Sequence, residues 1–200
     1  MTTLLALCGL GALLELDTTY AFQLTFSRGI IAGPLLGLLI GEPLAGLQVG
    51  IFTELLFLDM SPLGCILPPS ATVCCTVTLA LFALKIPLYF AFFFGVIGAI
   101  LFSELEIFLR KRRCGWVAQQ EQKIVHNPVH LSRCIMSALF MSLVLNFVFI
   151  LFFSGIVGIP LAKFIPLLPE KLHLAGKFSY MAVPWIGLVT LLSTFRLKAR

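Results

Sequence analysis

From Cys134 to Ala162 the sequence runs for 29 residues without a charged side chain. A transmembrane helix needs about 20 apolar residues, so this run alone commits the chain to a bilayer. Uncharged runs at 86–103 and 178–195 are each about one membrane thickness long. A fourth, 60–84, opens on Pro62, Pro68 and Pro69, so its first third is not expected to be regular helix. The runs 1–14, 29–41 and 43–53 are too short to cross unaided and read as re-entrant or interrupted segments. Composition agrees: 60% of residues are hydrophobic and 12% charged, with a mean hydropathy of +1.06. Ordinary soluble domains carry about 25% charge. A soluble enzyme, a nucleic-acid reader and a disordered regulator are thereby excluded, and continuous rather than alternating apolar runs exclude a β-barrel. The expectation is an all-α polytopic membrane protein with interrupted or re-entrant helices, about five to seven membrane segments, forming a single unit over 1–200.

Charge is distributed unevenly. Arg110, Lys111, Arg112, Arg113, Lys123 and Arg133 face the single acid Glu121 in the stretch 110–133, and Arg196, Lys198 and Arg200 end the chain. Basic segments stay on the cytoplasmic side, which places both stretches inside. The polar stretch 115–130 reads as a loop, as does 160–179 with Pro160, Pro166 and Pro169. The long run before the latter is expected to end near Pro160.

The six cysteines include no CxxC pair and no His/Cys spacing of a metal site. They read as small buried hydrophobes with one exposed thiol at Cys114. His126, His130 and His173 fall in predicted loops. Met1 to Leu14 lacks a basic leader and reads as part of the mature protein.

Residues 17–71 are richer in signals. Gly29, Gly33, Gly37 and Gly41 recur four apart and so share one helix face. After the Glu42-Pro43 break, Gly46 and Gly50 begin a second stripe, which presents Glu54 one turn later. Small residues at this spacing let helix backbones approach closely, so these six glycines are expected to pack helices. A carboxylate on the same stripe faces protein or a polar cavity rather than lipid, and a charge there is a functional candidate. A structural hydrogen bond to a neighbouring helix explains Glu54 as well. Asp17 reads as a helix N-cap, Arg28 as an interfacial anchor and Asp59 as a segment-end cap. Gln23 is a lone amide in an apolar stretch.

The order of these residues resembles a family. Asp17-Thr18-Thr19-Tyr20-Ala21-Phe22-Gln23, Phe26-Ser27-Arg28, Gly33-Pro34-Leu35-Leu36-Gly37 and Leu39-Ile40-Gly41-Glu42 come first. Gly46, Gly50, Glu54, Gly64, Pro69 and Ala71 follow. Together they look like the IIC component of the mannose/fructose/sorbose class of the bacterial phosphoenolpyruvate-dependent sugar phosphotransferase system. The resemblance covers roughly residues 10–80. Gly29 replaces the family's usual proline, Glu42 its usual aspartate and Ser70 a common acid.

That resemblance implies an inner-membrane sugar-permease subunit. Such a subunit translocates a hexose-type sugar together with a IID subunit, for phosphorylation by IIB. The phosphocarrier histidines belong to IIA and IIB, and no cofactor or metal is implied. Sugar hydroxyls need donors and acceptors shielded from water; a carboxylate accepts and an amide does both. Glu54 and Gln23 are the first candidates for substrate contacts, Asp17 and Ser70 the second. Because the chain is shorter than typical members, a relative that assembles or regulates without transporting is the alternative. A membrane-embedded enzyme using Glu54 and Asp59 is a further one, although their spacing puts them about 140° apart on a helix.

Overall fold

The computed structural model describes residues 2–19, 24–58, 60, 67–126 and 128–198, with side chains there except at 19, 117–126, 128–130 and 194–198. Gln23 and Asp59 lie outside the described residues. The described residues form seven α-helices: α1 (Thr2–Thr19), α2 (Gly29–Ile40), α3 (Pro43–Phe57), α4 (Ala71–Ala83), α5 (Leu88–His126), α6 (Pro128–Phe164) and α7 (Glu170–Lys198). Three helices are long and apolar enough to cross a membrane, over Leu88–Trp116, Leu131–Leu167 and Glu170–Ser193.

The short helices are set among the long ones. α2 and α3 form an antiparallel hairpin whose turn is written in three residues. Gly41 takes φ 83°, in the left-handed region that glycine occupies without penalty, and Glu42 donates its N–H back to the Gly37 carbonyl at 3.0 Å. Pro43 then opens α3, where its missing N–H costs nothing. Each arm is roughly 18–22 Å long by helix rise, short of the 30 Å hydrocarbon thickness. The break expected at Glu42-Pro43 is thus a true re-entrant turn.

α4 is the axis of the bundle. Every residue from Thr72 to Leu81 is buried, so this helix is covered all round rather than along one stripe. One cluster joins Leu36 of α2, Val49 of α3, Cys74, Cys75 and Leu79 of α4, and Phe92 of α5 to Tyr180 of α7. A second joins Cys8 of α1, Val73 and Val77 of α4 and Phe102 of α5 to Ile150 of α6. Cys8, Cys74 and Cys75 are buried and Cys114 is exposed. The hydroxyls of Thr76 and Thr78 donate to the carbonyls of Thr72 and Cys74, at 2.6 and 2.7 Å, which satisfies them inside an apolar setting.

One sequence expectation holds among the described residues and two are corrected. Of the run 60–84, only Ala71–Ala83 is helix among the described residues, beginning at an N-cap on Ser70. The polar stretch 115–130 is not a loop: α5 continues to His126 and α6 starts at Pro128. Its Gln, Glu, Lys and Ala residues are good helix formers, so polarity there marks departure from lipid rather than from helix. At 39 residues, α5 measures about 58 Å, nearly twice a bilayer's hydrocarbon core. Finally, α6 passes through Pro160 to Phe164, and only a 3-10 turn, Ile165–Leu167, separates it from α7. His173 is accordingly helical, and its ring bonds the Tyr89 hydroxyl at 2.7 Å.

Candidate functional site

The hairpin is held by contact of backbone against backbone. A Cβ on Gly29 would meet the Gly50 carbonyl oxygen at 2.9 Å, and one on Gly37 would meet the Glu42 oxygen at 2.8 Å. On Gly33 and Gly46 it would run into each other's carbonyl, and on Gly50 into that of Gly29. Five of the six glycines thus face one another across the hairpin. Gly41, expected on the same stripe, is the exception. Its Cβ would meet nothing within 4 Å, and its role is the left-handed cap of α2.

One turn beyond Gly50, Glu54 reaches the start of the other arm. Its Oε1 accepts the Gly29 N–H at 2.7 Å. That N–H belongs to the first turn of α2, where donors lack intrahelical partners and the helix dipole favours a negative group. Oε2 lies 3.6 Å from Arg28 Nη1, with the two side chains 25% and 66% exposed. An ion pair that open contributes at most about 1 kcal/mol, so the backbone bond is the stronger tie. Glu54 therefore clamps the open end of the hairpin.

That end borders a cavity of about 730 Å³. Glu15 and Asp17 of α1, Arg28, Glu54, and Ser70 at the head of α4 line it, together with Phe102, Ser103, Glu106 and Arg110 of α5 and Asn146 of α6. The sequence candidates Asp17, Glu54 and Ser70 thus share one cavity. Gln23 lies outside the described residues.

Asp17 is not an N-cap but sits inside α1, buried, where its two oxygens accept the N–H groups of Leu24 at 2.9 Å and Ser27 at 3.4 Å. It thereby shapes the turn into α2, which carries Thr25 at φ 67°. Left-handed backbone is a strained state for a β-branched residue, and here it lines the cavity. The Ser27 carbonyl accepts from Thr72 Oγ1 at 2.8 Å, tying the same turn to α4. Ser70 Oγ donates to Glu15 Oε2 at 2.5 Å and accepts the Val73 N–H at 3.3 Å. On the facing helix, Glu106 is buried and bonds Arg110 Nε at 3.2 Å and Arg113 Nη1 at 3.5 Å.

Sequence reading missed Glu15, Ser103, Glu106, Arg110 and Asn146. Asn146 had a signal, being the single amide in the 29-residue uncharged run. Glu15 had a weaker one as the first charge after an apolar start. Asp59, the second carboxylate of the embedded-enzyme alternative, lies outside the described residues, and both Glu54 oxygens have protein partners.

The cavity offers hydrogen-bond acceptors, two guanidinium groups, hydroxyls and an amide beside the apolar walls of Phe57, Leu58 and Phe102. Its size falls in the range of small-molecule sites, about 300–1,000 Å³.

A solved structure described as "Structure of membrane protein" matches the fold with a TM-score of 0.75 at 15% identity, over 98% of this chain and 80% of that one. Among curated protein sequences, none matches this chain. The family model described as "PTS system sorbose-specific iic component" matches residues 2–198, well past the 10–80 over which the resemblance was legible. With the pattern running from end to end, the chain belongs to the sorbose-specific IIC component family of the phosphotransferase system, the multi-pass inner-membrane permease components of that system.

Proposed function

We propose that this chain translocates a hexose-type sugar jointly with a IID-type membrane subunit, and that the sugar is phosphorylated at the cytoplasmic face by IIB, charged in turn by IIA. The observation that carries this reading is the cavity at the open end of the α2–α3 hairpin, with Glu54 at its edge. Interrupted helices expose backbone groups where substrates bind in many transporters. A carboxylate already clamping the hairpin couples whatever binds there to the closure of its two arms. Glu15 and Asp17 near the end of α1, and Glu54 and Phe57 near the end of α3, share that cavity with Glu106 and Arg110, where the basic continuation of α5 begins. With the basic residues inside, the cavity opens to the cytoplasm, where IIB works.

The test is reconstitution. The chain, co-expressed with an encoded IID-type neighbour, is purified and placed in liposomes with IIB, IIA and the phosphoryl donors. Sugar should enter and be phosphorylated only when every component is present, and the chain alone should aggregate in mild detergent. An intact complex that binds none of a hexose panel would favour the relative that assembles without transporting. Cys114, exposed beside the basic run, reports orientation: an impermeant thiol reagent should label it in inside-out vesicles and not in intact cells.

A further inference from the structure

The face of α6 that packs into the bundle is a stripe of every fourth residue: Ser142, Asn146, Ile150 and Ser154, all buried. The two serines satisfy their hydroxyls on their own helix. Ser142 donates to the Ala138 carbonyl at 2.8 Å and Ser154 to that of Ile150. Asn146 does not. It is 3% exposed, lines the cavity, and has no hydrogen-bond partner among the described residues. Its amide is open to the cavity rather than sealed in protein, and an amide has two donors and two acceptor positions to offer a ligand. Its neighbours in the cavity are committed elsewhere: Asp17 to the turn after α1, Ser70 to Glu15, Glu54 to α2.

We propose that Asn146 is a substrate-contacting, specificity-determining residue that reads two adjacent hydroxyls of the sugar. Nδ2 donates to one and Oδ1 accepts from its neighbour. This rests on the sugar-carrying reading above and adds the element that reading lacks. Carboxylates accept from any hydroxyl within reach, whereas an amide presents a donor and an acceptor side by side in fixed order. Inverting one hydroxyl of the pair breaks that match and strands a buried amide. Sites built around such pairs reject analogues that lack the group far better than apolar pockets do.

The experiment uses the chain in complex with its IID-type partner, wild type against Asn146→Leu, with radiolabelled hexoses and their monodeoxy analogues as probes. Leucine matches the amide's shape and leaves nothing unpaired, so the variant complex should melt at or above the wild-type temperature. Its affinity for the preferred hexose should fall about tenfold or more. For the wild type, two monodeoxy sugars at neighbouring positions should bind about tenfold more weakly than the parent sugar. For Asn146→Leu, those same two should bind as the parent does. Asn146→Ala, which adds no volume, should repeat the affinity pattern if leucine proves too bulky. Unchanged hexose affinity in both variants would overturn the proposal. So would deoxy penalties that persist in both, which mark a residue holding a structural water. A wild-type complex that binds no hexose at all would instead bring down the sugar reading beneath it.

Discussion

The α2–α3 hairpin and the α6–α7 pair are both strongly apolar, yet they achieve burial by opposite means. In the hairpin, glycine meets glycine, and no side chain separates the two backbones. In α6, only 17% of the most apolar window is buried inside the protein, and in α7 22%. Many of their large apolar side chains point outward, Phe140, Phe152, Met181 and Trp185 among them. The long helices are solvated by lipid and need only be long and greasy. The hairpin is too short to cross alone. Ile30, Leu38 and Leu44 on its outer face are exposed as in the long helices, but its inner face is closed backbone to backbone and is constrained residue by residue. Apolar character therefore carries two different messages, and spacing distinguishes them.

The sharpest way to break the comparison is to add one side chain to the hairpin. Gly33→Leu should abolish it, because the obstacle is the Gly46 carbonyl and backbone cannot rotate away. Overpacking against movable side chains costs about 1–3 kcal/mol, and this clash should exceed that. The expected outcome is loss of monodisperse complex in detergent chromatography and degradation in cells. A well-behaved Gly33→Leu complex would mean that the two arms do not touch as described.

Next in size is Glu54→Ala. It removes the acceptor of the Gly29 N–H and the anion facing Arg28. Charge-assisted hydrogen bonds contribute about 1.5–3 kcal/mol, roughly 10- to 150-fold in an equilibrium. Sugar binding should fall by that factor in an assembled complex. Glu54→Gln retains an acceptor for Gly29 and should lose less. Equal and complete loss of assembly in both variants would assign Glu54 a purely structural part.

What was legible in the sequence follows the same division. The glycine ladder could be read because close approach in lipid demands small residues at helical spacing, and Glu54 because it continues that ladder. Gly41 was misread because it shares the spacing; the proline two residues later decides that it turns the chain instead. The polar end of α5 was misread as loop because hydropathy reports lipid contact, not backbone conformation. Asp17 looked like a cap from local sequence, whereas its partners are Leu24 and Ser27, beyond the end of its helix. The α5–α6 wall of the cavity stays hidden in the sequence because Ser103, Glu106 and Asn146 join Glu15 and Asp17 around one cavity only in three dimensions.

A smaller effect is expected at the turn. Gly41→Ala forces a Cβ into left-handed backbone, φ 83°, at about 1–2 kcal/mol, with no steric obstacle added. The complex should assemble with a melting temperature lower by a few degrees, and sugar affinity should be retained. A collapse as severe as that of Gly33→Leu would show that Gly41 also packs against something, as its spacing first suggested.

The smallest effect belongs to the lipid-solvated half. Gly155 lies in the second half of the apolar run of α6, and a Cβ there would meet nothing within 4 Å. Gly155→Leu is chemically the same change as Gly33→Leu, made in another apolar helix. In lipid the added side chain replaces no contact, and leucine favours helix over glycine by under about 1 kcal/mol. Assembly, melting temperature and sugar affinity should therefore stay within measurement error of wild type, or stability should rise slightly. If this substitution instead dissociates the chain from its membrane partner, that face of α6 is covered by another subunit rather than by lipid. Gly158, three residues on, supplies the internal control. There a Cβ would meet Leu81 and Leu84 side chains of the same chain, so Gly158→Leu should lower the melting temperature whether or not a partner is bound. Loss of partner at 155 with loss of stability at 158 would map the boundary between subunit contact and internal packing to a single turn of helix.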